Sequence, residues 1–337
     1  MQLISGERNR LGRRGTDNSE AYREYLQGRF HLGKRTGDEI VRAIDNFSRA
    51  IEQDPSFALA YAGLAECYTL VGNAGYGSLP REQAIAHARA FAGKAIALDE
   101  SLAEAHVSLG YVKFRIDWDW AAAEAEFKRS LQLNPGLAKA HESYALFLAI
   151  QGRLDEAMAE MKRAQQLDPL SPTVSNGVGR ILHFQRKFDA AVLQFKKTLE
   201  LEPGFADAYF SMGLSYQVMG RYDEAITVLK TAIHLSGNRL VMISMLGMTQ
   251  GFAGRKQEAQ KTFDDLLERS QKTPVSPYYF AIVSVGLGEI DRAFQYFDQA
   301  YAERDGILIY LGVDPINDAI RPDPRFSALL KKMGLLP

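Results

Sequence analysis

The chain has 337 residues, of which 46% are hydrophobic, and its 40 basic and 41 acidic residues give a formal net charge of -1. This hydrophobic content is sufficient for a buried core, so the composition excludes a wholly disordered protein. The near-zero charge gives no electrostatic signature of nucleic-acid binding, and we therefore expect no direct contact with nucleic acid.

Residues 1–20 form a basic lead-in with four arginines, which we expect to be partly disordered or helical. It lacks the apolar stretch of a signal peptide, and no run elsewhere approaches the roughly 18 apolar residues that a transmembrane helix requires. The sequence therefore predicts no membrane insertion. It favours a cytoplasmic location, or a periplasmic one if an upstream membrane anchor is missing from this chain.

Helical repeats are predicted from residue 21 to residue 307. Their boundaries fall near 21–57, 58–102, 103–137, 138–171, 172–205, 206–239, 240–273 and 274–307. The first repeat has about three extra residues, for which we predict a longer turn at 33–38. The second has an 11-residue insertion around 72–82, where Tyr76 is either part of a longer turn or a binding residue. The third has one extra residue before Trp118 and Trp120, which are predicted to pack over the helix ends.

From residue 138 to residue 307 the sequence repeats five times, with a period of 34 residues and no insertion. One column holds a small residue, a second column twelve residues later is always alanine, and a third column four residues beyond holds a large apolar residue. These columns are Ala145, Gly179, Gly213, Gly247 and Ala281; Ala157, Ala191, Ala225, Ala259 and Ala293; and Met161, Phe195, Leu229, Phe263 and Phe297. The period and spacing indicate two antiparallel helices per repeat, packed closely through the small side chains.

These columns resemble the tetratricopeptide repeat (TPR). The resemblance implies an all-α fold, a right-handed TPR superhelix (an α-solenoid) of about eight helix-turn-helix repeats with a C-terminal capping helix. In such a fold, the first helix of each pair, helix A, lines the concave wall. Longer segments, such as "IDWDWAAAEAEFKRSLQLNP", also resemble the C-terminal TPR array of bacterial multidomain regulators. Those proteins carry a winged-helix or kinase domain and a TolB-like segment upstream.

The turns between the paired helices carry their own signals. Gly152, Gly220, Gly254 and Gly288 fall where helix A ends, a position that commonly has a positive φ angle. Arg186 occupies this position in the fifth repeat, so we expect a different or strained turn there. Aspartates just beyond place negative charge in the first turn of helix B.

Residues 308–337 are predicted to form a C-terminal cap. Its last helix has an apolar stripe at the spacing i, i+3, i+4, i+7, formed by Phe326, Leu329, Leu330 and Met333. We expect this stripe to cover the open end of repeat eight, because solenoids need such a cap for solubility. The alternative is that the stripe docks another chain, giving a homo-oligomer.

The resemblance also places candidate binding residues on the concave wall. They are Lys139, Glu142, Asn176, Arg180, His183, Phe210, Leu214, Gln217, Met248 and Tyr278. The wall changes from polar to apolar and aromatic along the array, which suits a protein or peptide segment with mixed anchors. The carboxylate clamp of chaperone-binding TPR proteins is not matched, since Ala62, Glu66, Val107 and Tyr111 occupy the corresponding positions.

No constellation in the sequence indicates catalysis. The six histidines are spread over different repeats, and no phosphate loop, nucleophile elbow or metal motif occurs. We therefore expect no cofactor, no metal and no enzymatic activity. The leading hypothesis is a protein–protein interaction scaffold. The alternative is a regulatory or sensor module, whose groove binds a small ligand or an effector domain of the same protein.

Overall fold

The computed structural model describes residues 15–74 and 79–335, and this part of the chain is helical and contains no strand. Its α-helices, in chain order, are α1 Ser19–Lys34, α2 Gly37–Gln53, α3 Ala58–Ala74, α4 Arg81–Leu98, α5 Ala103–Val112, α6 Trp120–Leu133, α7 Ala138–Ile150, α8 Leu154–Leu167, α9 Pro172–Phe184, α10 Phe188–Leu201, α11 Ala206–Val218, α12 Tyr222–Leu235, α13 Leu240–Phe252, α14 Lys256–Ser270, α15 Pro277–Leu287, α16 Ile290–Ala302 and α17 Pro324–Lys332. The first sixteen form eight consecutive pairs, and each pair packs on the next. The predicted all-α solenoid is confirmed.

The small columns lie where the two helices of a pair meet. All five alanines of the second column are fully buried. A Cβ atom added to Gly179 would lie 2.4 Å from the ring of Phe195, and one added to Gly213 would lie 2.7 Å from Leu229. The small residue of helix A therefore receives the large residue of helix B, and this contact sets the distance between the helices.

The turns between paired helices also follow the prediction. The four glycines at the ends of helices A have φ angles of 74° to 81°, and Arg186 adopts the same left-handed conformation with φ 62°. A non-glycine residue in this region is strained by roughly 1–2 kcal/mol. The expected strain in the fifth repeat is therefore present.

The first two repeats accommodate their extra residues differently from the prediction. A longer turn at 33–38 is wrong, because α1 continues to Lys34 and α2 begins at Gly37. The additional residues lengthen the helices to 16 and 17 residues. In the second repeat, α3 likewise extends to Ala74. Tyr76 lies outside the described residues, as does most of the basic lead-in.

The single extra residue of repeat three forms a π-helical turn. Residues Lys113–Asp117 continue α5 as a π-helix, and the backbone N–H of Asp119 returns to the carbonyl of Lys113. A π-turn holds one residue more than an α-turn, so the insertion widens the end of the helix without breaking it. Trp118 follows in the left-handed region, with φ 53°.

The C-terminal segment, residues 303–335, leaves repeat eight and folds back over the array. It contains two 3-10 helices, Leu308–Tyr310 and Pro315–Asn317, and ends with α17. The apolar stripe of α17 is buried against the chain itself. The stripe is therefore not free to dock another copy in this structure. None of the helices in the described ranges has the length and apolar character needed to cross a bilayer.

Candidate functional site on the concave wall

The helices A surround a cavity of about 220 Å³ on the concave side of the array. Its wall combines aromatic, basic and acidic side chains. These side chains include Arg35, Tyr111, Arg115, Glu142, Asn176, Arg180, His183, Phe184, Asp207, Phe210, Leu214, Arg239, Tyr278, Tyr310 and Asp314. Most belong to α5, α7, α9, α11 and α15, and α13 contributes Val241 and Met245. These are the first helices of repeats three to eight. The helices A therefore line this wall, as the TPR resemblance implied.

The C-terminal segment contributes Tyr310 to this wall. The guanidinium of Arg115 donates a hydrogen bond to the Tyr310 hydroxyl at 2.7 Å. The guanidinium carbon of Arg180 lies 4.9 Å from the centre of the same ring. Burial alone would raise the pKa of Tyr310, but the positive charges of Arg115 and Arg180 outweigh it and hold the pKa below its ordinary value.

Two further contacts hold the same segment against α9 and the turn that follows it. The imidazole Nε2 of His183 lies 3.1 Å from Oδ1 of Asp314, while its Nδ1 lies 2.8 Å from the hydroxyl of Ser215. Arg186 donates two hydrogen bonds to the Asp318 carboxylate. The concave face of repeat five is thus occupied by the chain's own residues.

A second set of contacts joins repeat eight to repeats two and three. The guanidinium of Arg81 donates to the carbonyl oxygens of Glu303 and Arg304, the former at 2.6 Å. Arg304 in turn donates to the carbonyl oxygen of Asp117 at 2.9 Å, and its guanidinium lies over the ring of Trp118. The array therefore curls until its last repeat meets its second and third.

The tryptophans of repeat three complete this junction. The ring of Trp118 lies 5.9 Å from that of Tyr301, centre to centre. The indole N–H of Trp120 donates to the carbonyl oxygen of Met333 at 3.0 Å. Both rings do lie at the ends of helices, as predicted. Their contacts with residues so far along the chain were not expected from the sequence.

An ion-pair network crosses the wall at the opposite end. The carboxylate of Glu66 on α3 lies 3.0 Å from Nζ of Lys139 on α7, and 3.4 Å from the guanidinium groups of both Arg29 and Arg35. Burial would raise the pKa of Glu66, but these three cations lower it to about 2. Repeats one, two and four are thus bridged directly across the concave side.

Seven of the ten predicted groove residues line the cavity. They are Glu142, Asn176, Arg180, His183, Phe210, Leu214 and Tyr278. Tyr278 is nevertheless only 1% exposed, so it forms part of the floor. Lys139 lies beside the cavity, where its ammonium group is held by Glu66 and Glu142.

Gln217 and Met248 require a correction, because neither side chain faces the cavity. Met248 is fully buried, and Gln217 is almost so. The amide of Gln217 contacts the sulfur of Met248 and accepts a hydrogen bond from Thr249 at 2.6 Å. These residues sit between α11, α13 and α15, where the helices approach too closely to leave a groove.

Sequence reasoning missed Arg115, Tyr310 and Asp314. Arg115 was overlooked because the π-turn shifts it out of the regular repeat register. The other two lie beyond the last repeat, in the segment predicted only to cover an end. The one sequence signal for these two residues is the series of proline steps after residue 307, which disfavours a single long helix in this stretch.

Comparison with known proteins agrees with the helical pairs. Tetratricopeptide repeat models match residues 119–172 and residues 195–227. These two segments of the chain carry tetratricopeptide repeats. Among curated proteins, no sequence match was found.

Comparison with solved structures finds IFIT1 and Tom70 with a similar fold, together with a weaker match to YrrB. A human IFIT1 dimer with PPP-AAAA has a TM-score of 0.54 at 18% identity, covering 79% of this chain and 69% of that one. Yeast Tom70 has a TM-score of 0.51 at 15% identity, covering 95% of this chain and 68% of its own. YrrB, described as a TPR protein with an unusual peptide-binding site, has a TM-score of 0.36 at 23% identity, covering 58% and 95%. At these identities the likeness concerns the fold alone.

Proposed function

We propose that this TPR array is a non-enzymatic interaction scaffold that binds a protein or peptide segment in the cavity of its concave wall. The observation that carries this proposal is that the concave wall already binds a segment of polypeptide, residues 308–318 of the same chain. A stretch of polypeptide without an α-helix is bound there by a stacked arginine, a histidine–aspartate contact and buried aliphatic side chains. Of the side chains at this contact, arginine and tyrosine are among those enriched at protein interfaces.

The remaining cavity supports a binding role for side chains that the C-terminal segment leaves uncovered. Phe210 on α11 is partly exposed and offers an apolar surface, and Arg180 on α9, whose guanidinium lies against Tyr310, stays partly exposed and offers a charged one. A partner segment would place an apolar side chain against α11 and a polar one against α9. The network around Glu66 and the junction at Arg304 close the wall on either side, so this mode suits a short segment or a chain end.

A peptide-array screen tests this proposal. We expect the wild-type protein to select a set of peptides that both Arg180→Glu and Phe210→Ala fail to bind. Arg163→Glu is the matched control, because Arg163 is exposed on helix B of repeat four, away from the cavity. Peptides that bind all four proteins equally would contradict a binding site in this cavity.

A second candidate is a sensor that binds a small ligand in the same place. The specific observation in its favour is the enclosure of the cavity by the chain's own C-terminal segment, which limits the occupant to a small size. A setting in a bacterial signalling protein, or binding of an effector domain of the same protein, is supported only by the sequence resemblance to multidomain regulators.

A further inference from the structure

The acidic side chains that line the cavity already have basic partners. These pairs are Glu142 with Lys139 at 3.3 Å, Asp207 with Arg239 at 2.6 Å, and Asp314 with His183 at 3.1 Å. Arg35, which also lines the cavity, pairs with Glu66. Glu142 and Asp207 thus each contact a cation directly, and the Asp314 carboxylate is held by the His183 imidazole.

Arg115 and Arg180 differ from the other cations of the cavity. Among the described residues, neither has a carboxylate oxygen within 4.0 Å of its guanidinium nitrogens. Both instead converge on Tyr310, a neutral acceptor. The Nε atom of Arg115 is moreover buried without a hydrogen-bond partner. Asp314 and Asp207 act on the Arg180 charge only from beyond direct contact. The two partly desolvated guanidinium groups therefore share one phenol and lack the directly paired carboxylate that favours a buried charge.

Asn176 supplies an independent polar group at the same place. It lies one helical turn before Arg180 on α9, lines the cavity and is only 7% exposed, and its Oδ1 atom has no hydrogen-bond partner. Buried polar atoms without a partner are uncommon in folded proteins, and such an atom often marks a place where water or another small molecule binds. Rotation of the amide would present its NH₂ group to an acceptor instead.

The other surfaces of the cavity are aromatic. Tyr111, Phe184 and Phe210 lie on three helices of the wall, namely α5, α9 and α11. Elsewhere, an apolar cavity of roughly 150 Å³ is large enough to hold benzene. The cavity here, at about 220 Å³, has room for a single ring that carries a carboxylate.

We propose that the cavity binds a small aromatic carboxylate, with its carboxylate between Arg115 and Arg180 and its ring against the aromatic wall. Guanidinium groups recognise carboxylates through paired, charge-assisted hydrogen bonds, which explains why two arginines converge here without an acidic partner. This inference rests on the proposed use of the concave cavity as the binding site and names the chemistry of its occupant. The carboxylate comes either from a free organic acid or from the end of a partner chain.

Titration calorimetry with benzoate, and with benzamide as the uncharged match, tests this site on the full chain. Benzoate should bind, and benzamide should bind at least about tenfold more weakly, the loss expected for one charge-assisted hydrogen bond. Arg115→Gln and Arg180→Gln should each weaken benzoate binding to a similar extent, and Arg180→Lys should weaken it less. Arg163→Gln, on an exposed helix face, should leave it unchanged.

Circular dichroism establishes that each variant is folded before its affinity is compared. The proposal is overturned if folded wild-type protein does not bind benzoate, if benzamide binds equally well, or if folded Arg115→Gln and Arg180→Gln variants bind benzoate as the wild type does. Loss of benzoate binding in Arg163→Gln would also count against it, because that residue is remote from the cavity.

The same measurements separate this inference from the proposed function. Peptides that depend on Phe210, together with an absence of benzoate binding, would overturn the carboxylate site and leave the scaffold standing. Benzoate binding without any selected peptide would support the carboxylate site and overturn the peptide-binding scaffold. Where both occur, competition between peptides and benzoate identifies the source of the carboxylate. If peptides with a free C-terminus displace benzoate and their amidated forms do not, the carboxylate is the end of a partner chain. Failure of both forms to displace it identifies a free acid.

Discussion

Arg186 donates two hydrogen bonds to the carboxylate of Asp318, at 2.7 and 2.8 Å, across 132 residues of sequence. It does so from a left-handed backbone position that the neighbouring repeats fill with glycine. The strained turn therefore coincides with the point where repeat five holds the C-terminal segment. The arginine that replaces glycine at this turn therefore has a structural use that the repeat pattern alone does not reveal.

Two substitutions at Arg186 separate the strain from the contact. Arg186→Gly relieves roughly 1–2 kcal/mol of backbone strain and loses a largely exposed ion pair worth up to about 1 kcal/mol, so we expect a small net change in stability. Arg186→Ala loses the pair and keeps the strain, and should melt at a lower temperature than Arg186→Gly. Thermal melts of both variants and of Asp318→Asn check this order. Equal melting of the glycine and alanine variants would contradict the strain argument.

Helices α13 and α15 approach each other through backbone atoms, and substitution at that contact should be costly. A Cβ atom on Gly251 would lie 2.2 Å from the carbonyl oxygen of Gly286. Because backbone cannot rotate aside as a side chain can, Gly251→Ala should lower the free energy of unfolding by at least about 3 kcal/mol. The measurement is chemical denaturation followed by circular dichroism.

The control for this prediction has the opposite sign. Gly93 lies within α4, and an added Cβ atom there would meet nothing within 4 Å. Gly93→Ala should therefore stabilise the protein by about 0.5–1 kcal/mol, through the better helix propensity of alanine. Similar losses in both variants would show that the close contact between α13 and α15 is not what limits residue 251.

The alanine column predicts a sharp difference between adjacent faces of helix B. Ala225 on α12 is fully buried at the contact with helix A, so Ala225→Leu should overpack the contact and cost roughly 1–3 kcal/mol. Ala190→Leu, at an exposed position on α10, serves as the control and should change stability little. A thermal melt in which Ala225→Leu shows no loss would contradict the packing scheme.

Acid should weaken the network around Glu66. Its pKa in the folded protein is about 2, below the ordinary 4.5, so its ionised form stabilises the fold above pH 4.5 and this contribution is lost as the pH falls towards 2. At neutral pH, Glu66→Gln should lower the melting temperature, because Lys139, Arg29 and Arg35 lose their shared partner. The difference from wild type should shrink between pH 4.5 and pH 2. Glu52→Gln, on an exposed face of α2, is the control, and a pH-independent difference for Glu66→Gln would refute the assignment.

The indole of Trp120 should restrain the C-terminal segment. Trp120→Phe keeps an aromatic ring and removes the hydrogen bond to the carbonyl of Met333, which is worth about 1 kcal/mol. Hydrogen exchange in residues 324–335 should then become several-fold faster, while exchange in α2 serves as the internal control. Unchanged exchange in the terminal segment would mean that the hydrogen bond does not hold it in place.

The regular part of the fold could be predicted from sequence almost residue by residue. Helices α7, α9, α11 and α13 begin at the predicted repeat starts, Ala138, Pro172, Ala206 and Leu240. They do so because the small and large columns carry the packing information locally. The last repeat was predicted at Pro274, but its helix begins at Pro277, where Ser276 caps it by accepting a hydrogen bond from Tyr278.

The candidate site could be predicted only in part, because it depends on contacts between distant repeats. The column pattern predicts Arg180 and Phe210 on the wall, and both line the cavity. It could not place Met248, because the close approach of two glycine-bearing helices covers that side chain. It could not find Tyr310 either, since no repeat period links a residue after the last repeat to Arg115 in the third.

The junction of Arg304 with Asp117 changes the mechanics of the whole array. In an open solenoid the two ends move independently, whereas here hydrogen bonds fasten repeat eight to repeats two and three. Its interior can widen only if these hydrogen bonds break, so a displacement of repeat eight is transmitted to repeats two and three. Access to the interior would then be governed by a few arginine-to-carbonyl hydrogen bonds that never touch whatever lies inside.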